Sequence, residues 1–176
     1  DIAVGNDTGH PDRVFTNPGT AFGFNSIPGF EMGDSSTQTT SFWVADYDTN
    51  GAPDLMRSRQ GINDVVFNNG SDYPFYTSPT LEIDPPEYAF DTRLIIGGDF
   101  DQDGADDAVI INAGAPSMVG RANHQDPLVG VIEKALSADL VATRAMAIGD
   151  VNQSGSYDVI LAQDSGELHL IPNNRT

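Results

Sequence analysis

The chain has 176 residues, a formal net charge of −18 and no cysteine. The lack of cysteine excludes disulfides and thiolate metal sites, and the strong negative charge argues against unaided binding to nucleic acid or to an anionic membrane. A hydrophobic content of 39% with 18 glycines and 11 prolines predicts a folded, turn-rich chain of short β-strands, and no apolar run reaches the roughly 18 residues of a transmembrane helix.

Taken in chain order, the predicted strands form a single repeat array over residues 1–176. The repeats are expected to hold three, four, four and three strands, with approximate bounds 1–40, 41–91, 92–142 and 143–176. The first repeat supplies strands two to four of its unit, and the last supplies strands one to three. The fourth strand of the third repeat is placed near 129–133, where a short helix through Ala135 and Leu136 fits equally well. Four antiparallel strands in a repeat of this length predict β-propeller blades, about 3.5 of them in this chain.

An acidic motif recurs once in each period. Its last aspartate falls at Asp54, Asp107 and Asp158, and Asp1 fits the same slot, so the repeat is 51 to 53 residues long. Each full copy has oxygen-bearing side chains at motif positions 1, 3, 5 and 9 and glycine at position 6. In the three copies these side chains are Asp46, Asp48, Asn50 and Asp54; Asp99, Asp101, Asp103 and Asp107; and Asp150, Asn152, Ser154 and Asp158.

This spacing points several carboxylates at one centre, and the glycine permits the sharp turn. The carboxylates would repel one another without a cation. A hard cation with six to eight oxygen ligands resolves the conflict, and Ca²⁺ suits the irregular geometry better than Mg²⁺. The motifs at 46–54 and 99–107 are therefore predicted Ca²⁺ sites. The motif at 150–158 has only two carboxylates and is expected to be a weaker site or a solvated turn, which is the alternative for any single copy.

An EF-hand would use the same opening residues but needs a bidentate glutamate at position 12 and a helix on each side. Position 12 is Arg57, Ile110 or Leu161, so the EF-hand interpretation fails in all three copies. We expect the aspartate at position 9 to close the ligand set within a strand–loop–strand turn. A backbone carbonyl at position 7 is the expected fifth donor, from Ala52, Ala105 and Ser156.

The segments ADYDTNGAPDLM, GDFDQDGADDAVI and GDVNQSGSYDVIL, with the opening DIAVGNDTGHPDRVFTNPG, resemble FG-GAP/VCBS repeats. These are the calcium-loop blades of integrin-α-like propellers and of many secreted microbial proteins. The resemblance implies blades around a central axis, with Ca²⁺ between the first and second strands of each blade. Asn50, Asn152 and Ser154 depart from the aspartate usual in the family.

Propellers of this family usually close with seven blades, so the resemblance implies about half a propeller. Another chain, possibly a second copy, or further blades of a longer polypeptide would complete the ring. A self-contained ring of four blades is the alternative.

These features predict a calcium-stabilised interaction or adhesion module with a protein or glycan ligand. An enzyme is not expected, because nearly every clustered carboxylate is already assigned to a metal. The alternative is a lectin or carbohydrate-binding accessory domain, with Trp43, Arg57 and Arg59 as candidate ligand-binding residues; a place in the core between blades is the competing interpretation of Trp43. Calcium loops of modest affinity need millimolar calcium, which predicts a secreted, cell-surface or periplasmic location.

Overall fold

The computed structural model describes residues 1–17, 19, 29–32, 36–71, 75, 80–83, 91–123, 126–137 and 143–173. Every regular element in these ranges is a β-strand, and none of this part of the chain forms a helix capable of crossing a membrane. The strands are β1 (Ile2–Val4), β2 (Asp12–Phe15), β3 (Phe30–Met32), β4 (Thr39–Ala45), β5 (Asp54–Arg59), β6 (Asp64–Val66), β7 (Thr80–Glu82), β8 (Thr92–Gly98), β9 (Asp107–Asn112), β10 (Ser117–Asn123), β11 (Asp126–Ser137), β12 (Thr143–Gly149), β13 (Asp158–Gln163) and β14 (Leu168–Ile171).

The strands form four antiparallel sheets, each built from strands that are consecutive in the chain. The first sheet is β1–β3, the second β4–β7, the third β8–β11 and the fourth β12–β14. The expected all-β class and antiparallel pairing are therefore confirmed, and the sheets contain three, four, four and three strands. The short helix considered near residues 129–133 does not form, because β11 pairs with β10 along this stretch.

Consecutive sheets pack face to face, and each of the three interfaces has its own hydrophobic core. Leu55 of β5 packs with Val14 of the first sheet, whereas its neighbour Met56 packs with Ile110 of the third sheet. Successive side chains of a strand point to opposite faces, so a strand between two sheets is apolar on both faces. A third core, which includes Val109 and Leu161, joins the third and fourth sheets.

The first strands of the second and third sheets approach each other closely. The backbone N–H of Ile95 in β8 donates to Oγ of Ser41 in β4 at 2.9 Å. The indole of Trp43 in β4 lies directly against Gly97 in β8, where a Cβ atom would overlap the ring. Glycine is required here for close approach of a backbone to a side chain. β8 also contacts β12 of the fourth sheet, so the loops that follow these strands begin near one another.

Buried polar residues also link adjacent sheets. Thr39, the first residue of β4, donates its hydroxyl to Oδ2 of Asp12 in the first sheet at 2.7 Å. One sheet later, Nδ2 of Asn63 donates to Oγ1 of Thr92, the first residue of β8, at 3.0 Å. Because all four residues are buried, these bonds satisfy groups that would otherwise be costly to remove from water. They also set how one sheet is placed against the next.

Candidate metal sites

The acidic motifs are the connections between the first and second strands of their sheets. Loop one (residues 46–54) runs from β4 into β5, loop two (99–107) from β8 into β9, and loop three (150–158) from β12 into β13. The fourth residue of each loop, Thr49, Gln102 or Gln153, has a φ of 58° or 59°, and these are the only non-glycine residues with positive φ in the described ranges. The glycine at position 6 has a φ between 86° and 93° in all three loops. The loops therefore share one backbone conformation, without flanking helices.

Loop two brings three carboxylates together. Asp99, Asp101 and Asp107 each offer an oxygen, and these oxygens lie within 4.8 Å of one another. The backbone N–H of Gly104 donates to Asp99 Oδ2 at 3.1 Å, and that of Asp103 donates to Asp99 Oδ1 at 3.0 Å and to Asp101 Oδ1 at 3.1 Å. A carboxylate has about four lone-pair sites, so these bonds orient the acids and leave capacity for a cation.

Loop one has the same arrangement. Oxygens of Asp46, Asp48 and Asp54 lie within 4.8 Å of one another, and Gly51 N–H donates to Asp46 Oδ2 at 2.8 Å. Asn50 donates through Nδ2 to Asp48 Oδ2 at 3.0 Å. The amide of Asn50 thus supports a neighbouring carboxylate in this structure, and its own coordination of a metal stays a prediction.

The position-5 aspartate of loop two is not part of the carboxylate group. Asp103 is exposed, and its Oδ1 accepts a hydrogen bond from the N–H of Ala105 at 2.9 Å. Among the position-7 residues, Ala105 and Ser156 are buried and Ala52 is half-buried. Coordination by their carbonyls, like that by Asp103, stays a prediction.

Loop three keeps this shape with fewer charges. Gly155 N–H donates to Asp150 Oδ2 at 2.9 Å, and Ser154 N–H donates to Asp150 Oδ1 at 2.8 Å and to Asn152 Oδ1 at 2.9 Å. Its carboxylates are Asp150 and Asp158 only, and the loop is not among the groups of three acids found in the described residues. Hydrogen bonds within the loop hold this turn, as in loops one and two. A weaker metal site and a solvated turn both stay open for loop three.

The aspartate at position 9 is buried in every loop. In two loops a backbone N–H from just after the third strand of the sheet helps to hold it. The N–H of Asn68 donates to Asp54 Oδ1 at 2.7 Å, and the N–H of Asn173 donates to Asp158 Oδ1 at 2.8 Å. The bond from Asn173 leads the effects that lower the pKa of Asp158, whereas burial outweighs the N–H donors and raises the pKa of Asp54. Asn68 and Asn173 were not among the predicted site residues, although each is an asparagine at nearly the same distance, 14 or 15 residues, after the last motif aspartate.

The three loops follow one another along one end of the sheets. Gln102 of loop two donates through Nε2 to the carbonyl oxygen of Gly155 in loop three at 2.5 Å. Tyr47 of loop one is buried, and burial, followed by the nearby carboxylates of Asp107 and Asp106, raises its pKa to about 12. The loops thus concentrate negative charge on one rim.

The chemistry of the donor set fits a hard divalent cation. All grouped ligand atoms are carboxylate oxygens, the ligand type that Ca²⁺ and Mg²⁺ prefer. The raised pKa of Asp54 has burial as its largest cause, and a bound cation would offset the cost of keeping this acid ionised there. Loops one and two therefore each have the groups needed to hold a metal ion.

The three candidate ligand-binding residues lie in the interior rather than on an open surface. Trp43 packs against the core between the second and third sheets, in agreement with its interpretation as a core residue. Arg57 is 1% exposed and Arg59 is also buried. Arg57 donates to both oxygens of Asp64 at 2.7 and 2.5 Å and to Asp12 at 3.1 Å, and Arg59 donates to Asp64 at 3.1 Å. Arg57 thereby joins the first and second sheets, whereas its neighbour Arg59 pairs with Asp64 within the second sheet. Binding of a ligand by any of the three residues stays a prediction.

No protein-family model matches the chain, and no curated protein matches it. The fold and the loops define an all-β repeat chain with two groups of three carboxylates placed for a metal ion.

Proposed function

We propose that the chain is a calcium-stabilised interaction module of the FG-GAP/VCBS type. The observation that supports this most directly is the convergence of three carboxylates within 4.8 Å in each of loops one and two. Both loops connect the first two strands of a sheet and lie beside the next sheet. A cation there holds the turn and reduces the repulsion between successive acidic loops.

The energetic effect of two such sites is large compared with the stability of a domain. Extracellular calcium sites bind with dissociation constants of about 0.1 to 1 mM. At a free calcium concentration of about 10 mM, which is about 10 to 100 times Kd, each site adds about 1.4 to 2.7 kcal/mol to the free energy of unfolding. Since small domains are stable by about 5–15 kcal/mol, two such sites supply a substantial part of the stability. A calcium-rich location, extracellular, at the cell surface or in the periplasm, is part of the same proposal.

We also infer that the four sheets are blades arranged about a central axis. Face-to-face packing of consecutive sheets and the contacts of β8 with β4 and with β12 support this arrangement. The loops then lie along one rim of the array, where a protein ligand would contact them.

The test is calcium binding by isothermal titration calorimetry together with the thermal midpoint in calcium and in EDTA. We expect two sites, a midpoint that falls on chelation, and the loss of one site in each of Asp48→Asn and Asp101→Asn. The control is Asp7→Asn, which removes an exposed acid outside the loops and should leave both sites intact. An unchanged midpoint in EDTA, or binding unaffected by both loop variants, would overturn the proposal.

Carbohydrate binding is the second candidate function, and a cavity favours it. A cavity of about 220 Å³ lies between the third and fourth sheets, with Val109 and Val159 among its apolar lining and Arg121, Asp101 and Tyr157 among its polar lining. Tyr157 is 45% exposed. The exposed ring of Tyr157 and the ion pair of Arg121 with Asp101, at 3.6 Å, line the same cavity. This combination suits a sugar, which has both apolar faces and hydroxyl groups. Glycan-array binding that is lost in Tyr157→Ala would support this function, and no binding to any glycan would refute it.

A further inference from the structure

The second and third sheets each have one face toward the sheet before and one toward the sheet after, whereas the first and fourth sheets each have one face that no other sheet of the described residues covers. In the fourth sheet, Ile160 pairs with Leu170 and Ala162 pairs with Leu168, so their side chains share a face opposite to that of Val159. Val159 packs toward the third sheet. We name the opposite surface the trailing face; with the neighbouring loop residue it comprises Ala145, Ala147, Val151, Ile160, Ala162, Leu168 and Leu170.

The same positions are buried where another sheet follows. Val65 and Tyr47 of the second sheet are 0% and 6% exposed in the core that the third sheet covers. By strand register and loop position their counterparts are Leu170 and Val151, which are 48% and 52% exposed. Leu168 is 74% exposed. The trailing face therefore has the chemistry of a core surface, although no sheet from the described part of the chain lies on it.

The first sheet shows the complementary case. Ile2 pairs with Phe15 in β2, and Val4 lies on the same face; we name this surface the leading face. Leu55, the counterpart of Ile2 in the second sheet, is buried against the first sheet, whereas Ile2 is 47% exposed. The leading face is thus the kind of surface that covers a trailing face at each internal interface.

Charge also favours contact between these two faces. The trailing face contains no ionisable side chain, and the charges beside Val4 on the leading face, Arg13 and Glu31, form an ion pair at 2.9 Å. In a chain with a net charge of −18, two faces that together have no net charge are the surfaces where copies can meet with least repulsion.

We propose that the trailing face of the fourth sheet docks on the leading face of the first sheet in a second copy of the chain. The contact is head-to-tail, so it continues the stacking of sheets from one copy to the next and either closes into a ring or extends further. It would place apolar residues against apolar residues, as in the hydrophobic cores of the three internal interfaces. The contact depends on the sheets and not on metal ligation, so it stands or falls separately from the calcium proposal.

Sedimentation velocity over about 1 μM to 1 mM protein, in calcium and moderate salt, tests the proposal. We expect the wild-type chain to associate with increasing concentration. Leu170→Asp on the trailing face and Ile2→Asp on the leading face should each be monomeric. Both positions are exposed, so the variants should keep the wild-type circular dichroism spectrum; Leu168→Asp is a second trailing-face variant if Leu170→Asp does not fold. Asn69→Asp adds the same charge in an exposed turn of the second sheet and should associate like the wild type.

Mixing the two monomeric variants gives the decisive result. The Ile2→Asp chain keeps an intact trailing face and the Leu170→Asp chain an intact leading face, so the mixture should form one-to-one dimers. A self-complementary contact between two trailing faces would instead leave Ile2→Asp associating on its own, which would overturn the head-to-tail arrangement. A wild-type chain that stays monomeric at every concentration would overturn the proposal and assign the two faces to a different partner.

Discussion

Replacing Arg57 by isoleucine tests how the first and second sheets are joined. Arg57 is 1% exposed; it forms a bidentate ion pair with Asp64 and a single hydrogen bond to Asp12. Without the guanidinium, Asp12 keeps its bonds from Thr39 Oγ1 and from the N–H of Asn6, and Asp64 keeps Arg59. The cluster then contains two buried carboxylates and one arginine. Removing one partner of a buried ion pair costs about 3–5 kcal/mol.

The next interface in the chain provides the matched control. There the counterparts of Arg57, Asp64, Asp12 and Arg59 are Ile110, Met118, Asn63 and Asn112 by strand register. The quadruple variant Arg57→Ile, Asp64→Met, Asp12→Asn, Arg59→Asn therefore copies these positions of an interface that this chain already uses. Replacing a complete buried ionic group by well-packed uncharged residues is often neutral or stabilising, so we expect the quadruple variant to recover most of the loss.

The assay is thermal and urea unfolding in the same calcium buffer. One kcal/mol shifts the midpoint of a domain of this size by about 2–4 °C, so the single variant should melt about 6–20 °C below the wild type. A single variant within about 2 °C of the wild type would show that the cluster contributes little. A quadruple variant as unstable as the single one would refute the reasoning that an uncompensated buried charge causes the loss.

Three further outcomes are expected. Gly97→Ala should lower stability by about 1–3 kcal/mol because the added methyl group meets the Trp43 ring, whereas Gly149→Ala, with open space around its Cβ position, should not; equal midpoints for the two variants would contradict the close approach. In EDTA, Asp158→Asn should destabilise the chain at neutral pH, because backbone N–H donors stabilise the ionised carboxylate and lower the pKa of Asp158. The contribution of Asp158 to the free energy of unfolding is therefore present above the usual carboxyl pKa and is lost as the pH falls through the lowered pKa. The difference in thermal midpoint between the wild type and the variant should therefore decrease in acid. A difference that does not change with pH would contradict this role of the Asp158 carboxylate. The difference between the thermal midpoints in calcium and in EDTA should decrease as the pH falls from about 7 to about 4. Burial raises the pKa of Asp54, so protonation removes the cost of burying its charge in the metal-free chain, whereas calcium requires the ionised carboxylate. A difference that increases in acid would contradict the role of Asp54 as a calcium ligand.

The regular spacing of residues was enough to predict much of the fold and of the loops. The recurrence of the acidic motif every 51 to 53 residues predicts strand–loop–strand turns. The glycine at position 6 has the positive φ that such a turn requires. These are local properties, since a tight turn depends mainly on the conformations open to a few adjacent residues. The stretch near residues 129–133 is compatible with either a helix or a strand by sequence alone, because a short apolar run fits both.

The side-chain partners of Arg57 and Arg59 and the roles of Asn68 and Asn173 depended on tertiary structure. By sequence alone, a charged residue in a strand such as Arg57 is expected at the surface. The structure shows that Arg57 is buried because Asp12 of the neighbouring sheet accepts its hydrogen bond at 3.1 Å. The backbone N–H that holds Asp158 comes from 15 residues away. By itself, the sequence determined the repeats, the turns and the acids that each turn gathers. Only the tertiary structure decided which sheet faces cover one another and which stay open, because those contacts join residues far apart in the chain and depend on how whole sheets are placed.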